Sequence, residues 1–152
     1  MTSLIGEAAA QFELAGPHGA MVSNATLAGA GALLLFVPSA FTPVCTQEVR
    51  EHATLPGLQE AAALVVVSCD SAHTLTAWLD HLEVSCAVGS DFWPHGQVAR
   101  AFGAFDERTG WPRRRSVLLN SAGTVVWTDQ SAPGQARDPF AALQAIRRFE
   151  VA

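Results

Sequence analysis

Two uninterrupted apolar runs constrain this chain more than anything else in it. "ALLLFVP" occupies residues 32–38 and "AALVVVSC" residues 62–69. A strand with one wet face alternates apolar and polar side chains, whereas a strand covered on both faces reads as a continuous run of Val and Leu. Both runs are therefore expected to be strands enclosed between two layers. The segment joining them predicts a helix from about Thr42 to His52, because Pro43 suits a first helical turn and Glu48 and Glu51 come early in it. Pro56 and Gly57 bend or end that helix.

The remaining pattern extends this β–α–β core. "QFELAGPHGAMV" predicts a short hairpin turning at "GPHG". Leu75, Trp78, Leu79 and Leu82 fall at i, i+3, i+4 and i+7 and mark an amphipathic helix, with Ser71 as its N-cap. A short strand is expected near residues 87–89, then a short helix with Val98, Ala101 and Phe102 on one face. "RSVLLNSAGTVVWTD" predicts a hairpin turning at "NSAG", and a closing helix carries Phe140, Leu143 and Ile146, with Arg147 and Arg148 near its end. Alternating β and α elements imply an α/β fold: a central sheet with parallel strands, helices on both faces and an antiparallel hairpin at the end.

At 152 residues and 49% hydrophobic, the chain is expected to be one domain spanning residues 1–152, with a substantial core. A net charge of −5 argues against general affinity for nucleic acid or anionic membrane. The start, "MTSLIGEAAAQFEL", lacks the basic and apolar blocks of a secretory leader. The apolar stretch 25–38 is too short and too broken to cross a bilayer. A cytoplasmic location is the expectation. Cys45, Cys69 and Cys86 show neither CxxC nor zinc-ligand spacing, so no disulfide framework, metal or cofactor is expected. His73 and His95 are expected in surface or capping roles.

One cysteine stands apart. In "FVPSAFTPVCTQEV", Cys45 lies just past the carboxyl end of the first enclosed strand, in the opening turn of the next helix. Ligands of open α/β sheets bind at such ends, and unpaired amides with the helix dipole favour a negative charge there. A thiolate is such a charge, and the thiolate is the nucleophile. Thr42 stands three residues earlier and can turn its hydroxyl to the same side. Pro38 and Pro43 stiffen the loop, and Phe41 and Val44 complete a cramped, poorly hydrated pocket. A fixed cation is supplied by Arg113, Arg114 or Arg115 at the start of the later hairpin; strand alternation admits one of them to the site.

These residues carry a family resemblance. "PSAFTPVC" resembles the Pro-x-x-x-Thr-x-x-Cys signature of the peroxiredoxins on Pro38, Thr42 and Cys45. "VVVSCDSAHTLTAW" is similar to that family's strand, Asp-Ser turn and tryptophan-bearing helix. "SDFWPHGQVARAFGAFDERTG" is similar to the segment that follows, and most like the AhpE-type one-cysteine subgroup. "RRRSVLLNSAGTV" is similar to the arginine strand, with Arg114 in the register of the catalytic arginine and Ser116 two residues on. Ala10 and Val37 depart from the pattern, where the family has proline and an aromatic residue.

The resemblance implies a thioredoxin-like fold with an N-terminal β-hairpin. It also implies reduction of hydrogen peroxide and organic hydroperoxides by Cys45, which becomes a sulfenic acid. Glu48 matches a frequent glutamate that helps to orient the arginine. Position 50, used by one subgroup for a resolving cysteine, is Arg50, and Cys69 and Cys86 match no resolving position, so both are expected as buried small hydrophobes. The implied reductant is external: a low-molecular-weight thiol with a glutaredoxin-like protein, or thioredoxin. A homodimer is implied too, with Phe41, Phe92 and Trp93 as contact candidates. The competing expectation is a non-catalytic redox sensor or binding module using the same cysteine. A disulfide reductase is disfavoured by the missing second cysteine of a CxxC.

Overall fold

The computed structural model describes residues 4–151, so the first three residues of the N-terminal stretch lie outside it. The N-terminal hairpin pairs β1 (Glu13–Ala15) with β2 (Met21–Ser23), and a short helix α1 (Asn24–Leu27) follows. The first apolar run is β3 (Ala32–Phe36), with all five residues buried. Next come α2 (Pro43–Thr54), α3 (Leu58–Ala61) and β4 (Ala63–Ser68), the second apolar run. Helix α2 begins on Pro43, as its fixed φ allows. Gly57, at φ 92, permits the turn into α3.

The chain continues through α4 (Ala72–Leu82), β5 (Ala87–Ser90) and α5 (Gln97–Ala101). The Ser71 hydroxyl accepts from the Thr74 amide and caps α4 as expected. A small two-stranded hairpin of β6 (Phe105–Asp106) and β7 (Trp111–Pro112), with Phe105 in the core, has no counterpart among the elements expected from sequence. The expected hairpin is β8 (Arg115–Leu119) with β9 (Val125–Gln130), and α6 (Pro139–Arg148) closes the fold.

The main sheet has seven strands in the order β2-β1-β5-β4-β3-β8-β9. Strands β3, β4 and β5 are parallel, and the outer pairings are antiparallel. One face, through Leu33, Leu35, Leu64 and Val66, packs on α2, α3, α4 and α6. The other, through Leu34, Phe36, Val65 and Val67, packs on α5 and the N-terminal hairpin. Side chains of a strand point alternately to its two faces, which explains the uninterrupted apolar runs. This is the expected mixed sheet flanked by helices.

Two core assignments are corrected. Ala101 is exposed, and Ala99 with Val98 and Phe102 forms the buried face of α5. Phe140, two residues after the N-cap of α6, is exposed, while Leu143 and Ile146 are buried as expected. Among the described residues, no helix is long and apolar enough to cross a membrane.

Candidate active site

Strand geometry decides which residues meet at the carboxyl end of β3. Strand β8 runs antiparallel to β3, with Leu35 opposite Ser116. The amino end of β8 therefore lies beside the point where β3 hands over to α2. Arg114 immediately precedes β8 and Cys45 is the third residue of α2, so two residues 69 apart in sequence are brought together. Arg114 Nη1 lies 3.2 Å from Cys45 Sγ and 2.7 Å from Glu48 Oε1. Glu48 is one helical turn after Cys45 and shares its face of α2. Of the three clustered arginines, Arg114 alone is buried. Arg113 is exposed, and Arg115 is half-buried with its Nε donating to the Phe102 carbonyl.

A second arginine completes the cluster. Arg137 Nε donates to Glu48 Oε2 at 2.7 Å, Nη2 donates to Oε1 at 3.0 Å, and the Arg137 backbone N–H donates to Oε2 at 2.8 Å. Arg137 Nη1 reaches the Ser116 hydroxyl at 3.3 Å. Glu48 and Cys45 are fully covered, and Arg137 and Arg114 are only 3% and 8% exposed. Burial pushes the Glu48 carboxyl up, but the bonds and charge of Arg137, with help from Arg114, outweigh it and hold the group below its usual value. Burial likewise opposes the Arg114 charge, yet its bonds to Cys45 and Glu48 raise its pKa above the ordinary arginine value. Two cations against one carboxylate leave one positive charge over in a dry site. An ionised Cys45 sulfur, already in contact with Arg114, cancels it.

Sequence reasoning missed Arg137. It lies in the irregular stretch before α6, where no periodicity marks it, and its only local signal is that Asp138 and Pro139 announce a helix start. Glu48, read from the sequence as orienting the arginine and as part of the substrate pocket, anchors two arginines and is not in the pocket wall.

Thr42 is the N-cap residue of α2, although its side chain makes no capping bond. Its hydroxyl donates to the Ser39 carbonyl at 2.8 Å, instead of to the Cys45 sulfur. The hydroxyl hydrogen is thus committed within the loop, and the oxygen lone pairs remain to accept a bond. Pro38, Ser39, Thr42 and Arg114 line a pocket of about 590 Å³. Its other walls come from β7 (Trp111, Pro112), from Arg113, and from the turn after β9 (Ser131, Pro133). Phe41, Pro43 and Val44 were expected in that pocket, but they are not in its wall. Pro43 is exposed and Val44 half-buried. Phe41 turns towards Trp78 and His81, with ring centroids at 6.5 and 5.9 Å.

Cys69 and Cys86 are half-buried rather than sealed, each packed against a core cluster. Burial, with the nearby Asp91 and Asp70 charges, pushes the Cys69 thiol up to about 12; burial alone takes Cys86 to about 12. Neither is a ready thiolate at neutral pH.

His52, one turn beyond Glu48 on α2, is fully buried. Its Nδ1 donates to the Glu48 carbonyl at 2.7 Å, which leaves Nε2 as a bare lone pair with no hydrogen-bond partner among the described residues. Burial holds this imidazole below the usual histidine range; the bond to the Glu48 carbonyl opposes the shift and the Arg137 charge adds to it. The unfolded chain therefore takes up a proton near pH 6.5 that the folded chain refuses. Stability from this group is complete above that pH and declines below it, with a limiting slope of about 1.4 kcal/mol per pH unit. We expect the urea midpoint to fall between about pH 6.5 and 5, and His52→Leu to remove most of that fall. An unchanged slope in the variant would contradict this account.

Comparison with known proteins adds independent information. The AhpC/TSA family model matches residues 5–128. Alkyl hydroperoxide reductase E of Mycobacterium tuberculosis is 31% identical over 139 residues, covering 88% of this chain and 90% of that protein. A putative peroxiredoxin bcp of Haemophilus influenzae is 29% identical over 130 residues, covering 80% of this chain and 83% of that protein. Among solved structures, Enterococcus faecalis AhpC superposes with a TM-score of 0.90 at 25% identity, covering 98% of this chain and 93% of that one.

Proposed function

The chain belongs to the AhpC/TSA family of peroxiredoxins and is a thiol-dependent peroxidase, and from that premise we propose that Cys45 is its peroxidatic sulfur, working by a one-cysteine cycle within a single domain. The observation that carries the assignment is the 3.2 Å contact between Arg114 Nη1 and Cys45 Sγ, inside a buried cluster with one positive charge left over.

The mechanism rests on that arrangement. The Cys45 thiolate attacks one oxygen of a hydroperoxide; an S–O bond forms as the O–O bond breaks. Sulfur loses two electrons and the peroxide gains them. The departing oxygen leaves as water or an alcohol once protonated, and Cys45 becomes a sulfenic acid. Thr42, with its own hydrogen held by Ser39, accepts the hydrogen bond of the peroxide O–H. Arg114 and the unpaired first-turn amides of α2 meet the charge that develops on the oxygens. Pro38 holds the loop that presents Thr42. Glu48 and Arg137 keep Arg114 in place.

An external thiol then attacks the sulfenic acid, releasing water and forming a mixed disulfide; a second thiol frees Cys45 by exchange. A low-molecular-weight thiol with a glutaredoxin-like protein, or thioredoxin, fills this role in our reading, since Cys69 and Cys86 are poor nucleophiles. We also assign the chain to the cytoplasm as a homodimer. Phe41, Phe92 and Trp93, at 51%, 56% and 82% exposure, support a dimer contact beside the active-site loop.

The test is the second-order rate of Cys45 oxidation by hydrogen peroxide, followed by tryptophan fluorescence, with mass spectrometry after one equivalent of peroxide. We expect a rate far above that of free cysteine, oxidation confined to Cys45, and Cys69 and Cys86 still reduced. A rate at the level of free cysteine would remove the peroxidase assignment. An intramolecular disulfide would remove the one-cysteine part alone.

A further inference from the structure

The loop that carries Thr42 is held in an unfavourable shape. Phe41 has φ 65, the left-handed region that a bulky side chain with a Cβ rarely occupies. Such a conformation persists where its surroundings fix it. Within the loop, the Thr42 hydroxyl donates to the Ser39 carbonyl at 2.8 Å. From outside, the Ala40 backbone N–H donates to Asp70 Oδ2, also at 2.8 Å. Among the described residues, this is the hydrogen bond that ties residues 38–42 to another element before α2 begins.

Asp70 is itself firmly set. The Ser68 hydroxyl donates to the same Oδ2 at 2.7 Å and accepts from the Asp70 amide at 3.1 Å, while the Ser90 hydroxyl donates to the Asp70 carbonyl at 2.6 Å. Ser68 is fully buried at the end of β4. The rigid carboxyl edge of the sheet thus reaches across to Ala40, directly before the strained residue. An amide bonded to a carboxylate is a strong, directional contact.

We propose that Asp70 is a positioning residue for the peroxidase reaction, clamping the Pro38–Thr42 loop so that the Thr42 hydroxyl faces the peroxide beside Cys45. The inference rests on the assignment of Cys45 as the peroxidatic sulfur. Asp70 touches neither sulfur nor peroxide; it acts through Ala40 and Phe41. It leaves the Arg114–Glu48–Arg137 cluster alone, so it governs the reception of peroxide rather than the ionisation of the thiol.

Two probes of the same sulfur separate those effects. Iodoacetamide needs a thiolate and access, whereas peroxide also needs the placed hydroxyl and amides. Asp70→Ala should slow oxidation of Cys45 by hydrogen peroxide about 10- to 100-fold. Alkylation of Cys45 by iodoacetamide, read by mass spectrometry, should be no slower than in wild type. Asp70→Asn keeps an oxygen to accept from Ala40 and should stay within about threefold of wild type. Ser68→Ala removes one of the bonds fixing the carboxylate and should give a smaller loss of the same kind, which serves if Asp70→Ala does not fold.

Equal slowing of both probes, an unchanged peroxide rate in Asp70→Ala, or a loss in Asp70→Asn as large as in Asp70→Ala would each overturn the proposal. A normal wild-type rate in those cases leaves the peroxidase assignment standing. A wild-type rate at the level of free cysteine overturns both.

Discussion

Arg114→Met is expected to slow the oxidation of Cys45 by hydrogen peroxide by about 10²–10³-fold, the loss typical of removing one preorganised donor to a developing charge. Two effects act together. The guanidinium in contact with Cys45 Sγ is lost, so an ionised sulfur becomes an uncompensated charge in a covered site. The donor that meets the peroxide oxygens goes too. Folding should survive, because Glu48 keeps its bonds to Arg137. Arg114→Lys retains the charge but not the planar guanidinium whose Nη1 meets both Cys45 and Glu48, and should lie between wild type and methionine. Stopped-flow fluorescence under pseudo-first-order peroxide measures all three. A methionine variant within about threefold of wild type would show that Arg114 contributes little of the expected transition-state stabilisation.

Glu48→Ala should have the largest effect on stability, about 3–5 kcal/mol, as expected when one partner of a buried ion pair is removed. Among the described residues, the Arg137 guanidinium would keep only its Ser116 contact and that of Arg114 only its sulfur contact, with both nearly sealed. Against the 5–15 kcal/mol typical of a folded domain, roughly a fifth or more of the total would go. Glu48→Gln keeps acceptor and donor capacity without the charge and should fall between. The pH dependence has a definite sign. The folded carboxyl titrates below its ordinary value of 4.5, so its contribution is complete above that pH and fades as acid protonates it in the folded protein. This window lies below the one governed by His52, which separates the two in a urea series taken across pH. A loss under about 1 kcal/mol in Glu48→Ala would show the cluster to be far better hydrated than its burial implies.

Much of this site is legible in the sequence because its parts sit on regular elements. The run 32–36 declares its strand by composition, Pro43 declares the helix start, and the short offset from Thr42 to Cys45 fixes their common turn. Arg114 is legible through strand alternation and the family register, since β8 pairs with β3 where the helix begins. Arg137 and the pocket walls are not. They come from the β6–β7 hairpin, closed by local bonds such as Gly110 N–H to the Asp106 carbonyl, and from the irregular stretch 130–137, where Arg137 is held by distant Glu48; neither carries a repeating pattern. The Thr42 hydroxyl shows the same limit at finer grain: its position is readable, while its choice of Ser39 as acceptor depends on the left-handed turn at Phe41.

The two arginines around Glu48 also bear on the second half of the cycle, after the sulfur has been oxidised. A neutral sulfenic acid in place of a thiolate leaves Glu48 as the one anion facing both guanidiniums, and the hollow is electropositive. The next anionic nucleophile to approach is then drawn inward by the field of the same guanidiniums. A reductant arriving as a thiolate enters downhill, and its departure restores the original balance. One set of charges thereby bears on both halves of the cycle, while the sulfur, fully covered here, has to be uncovered before a reductant reaches it.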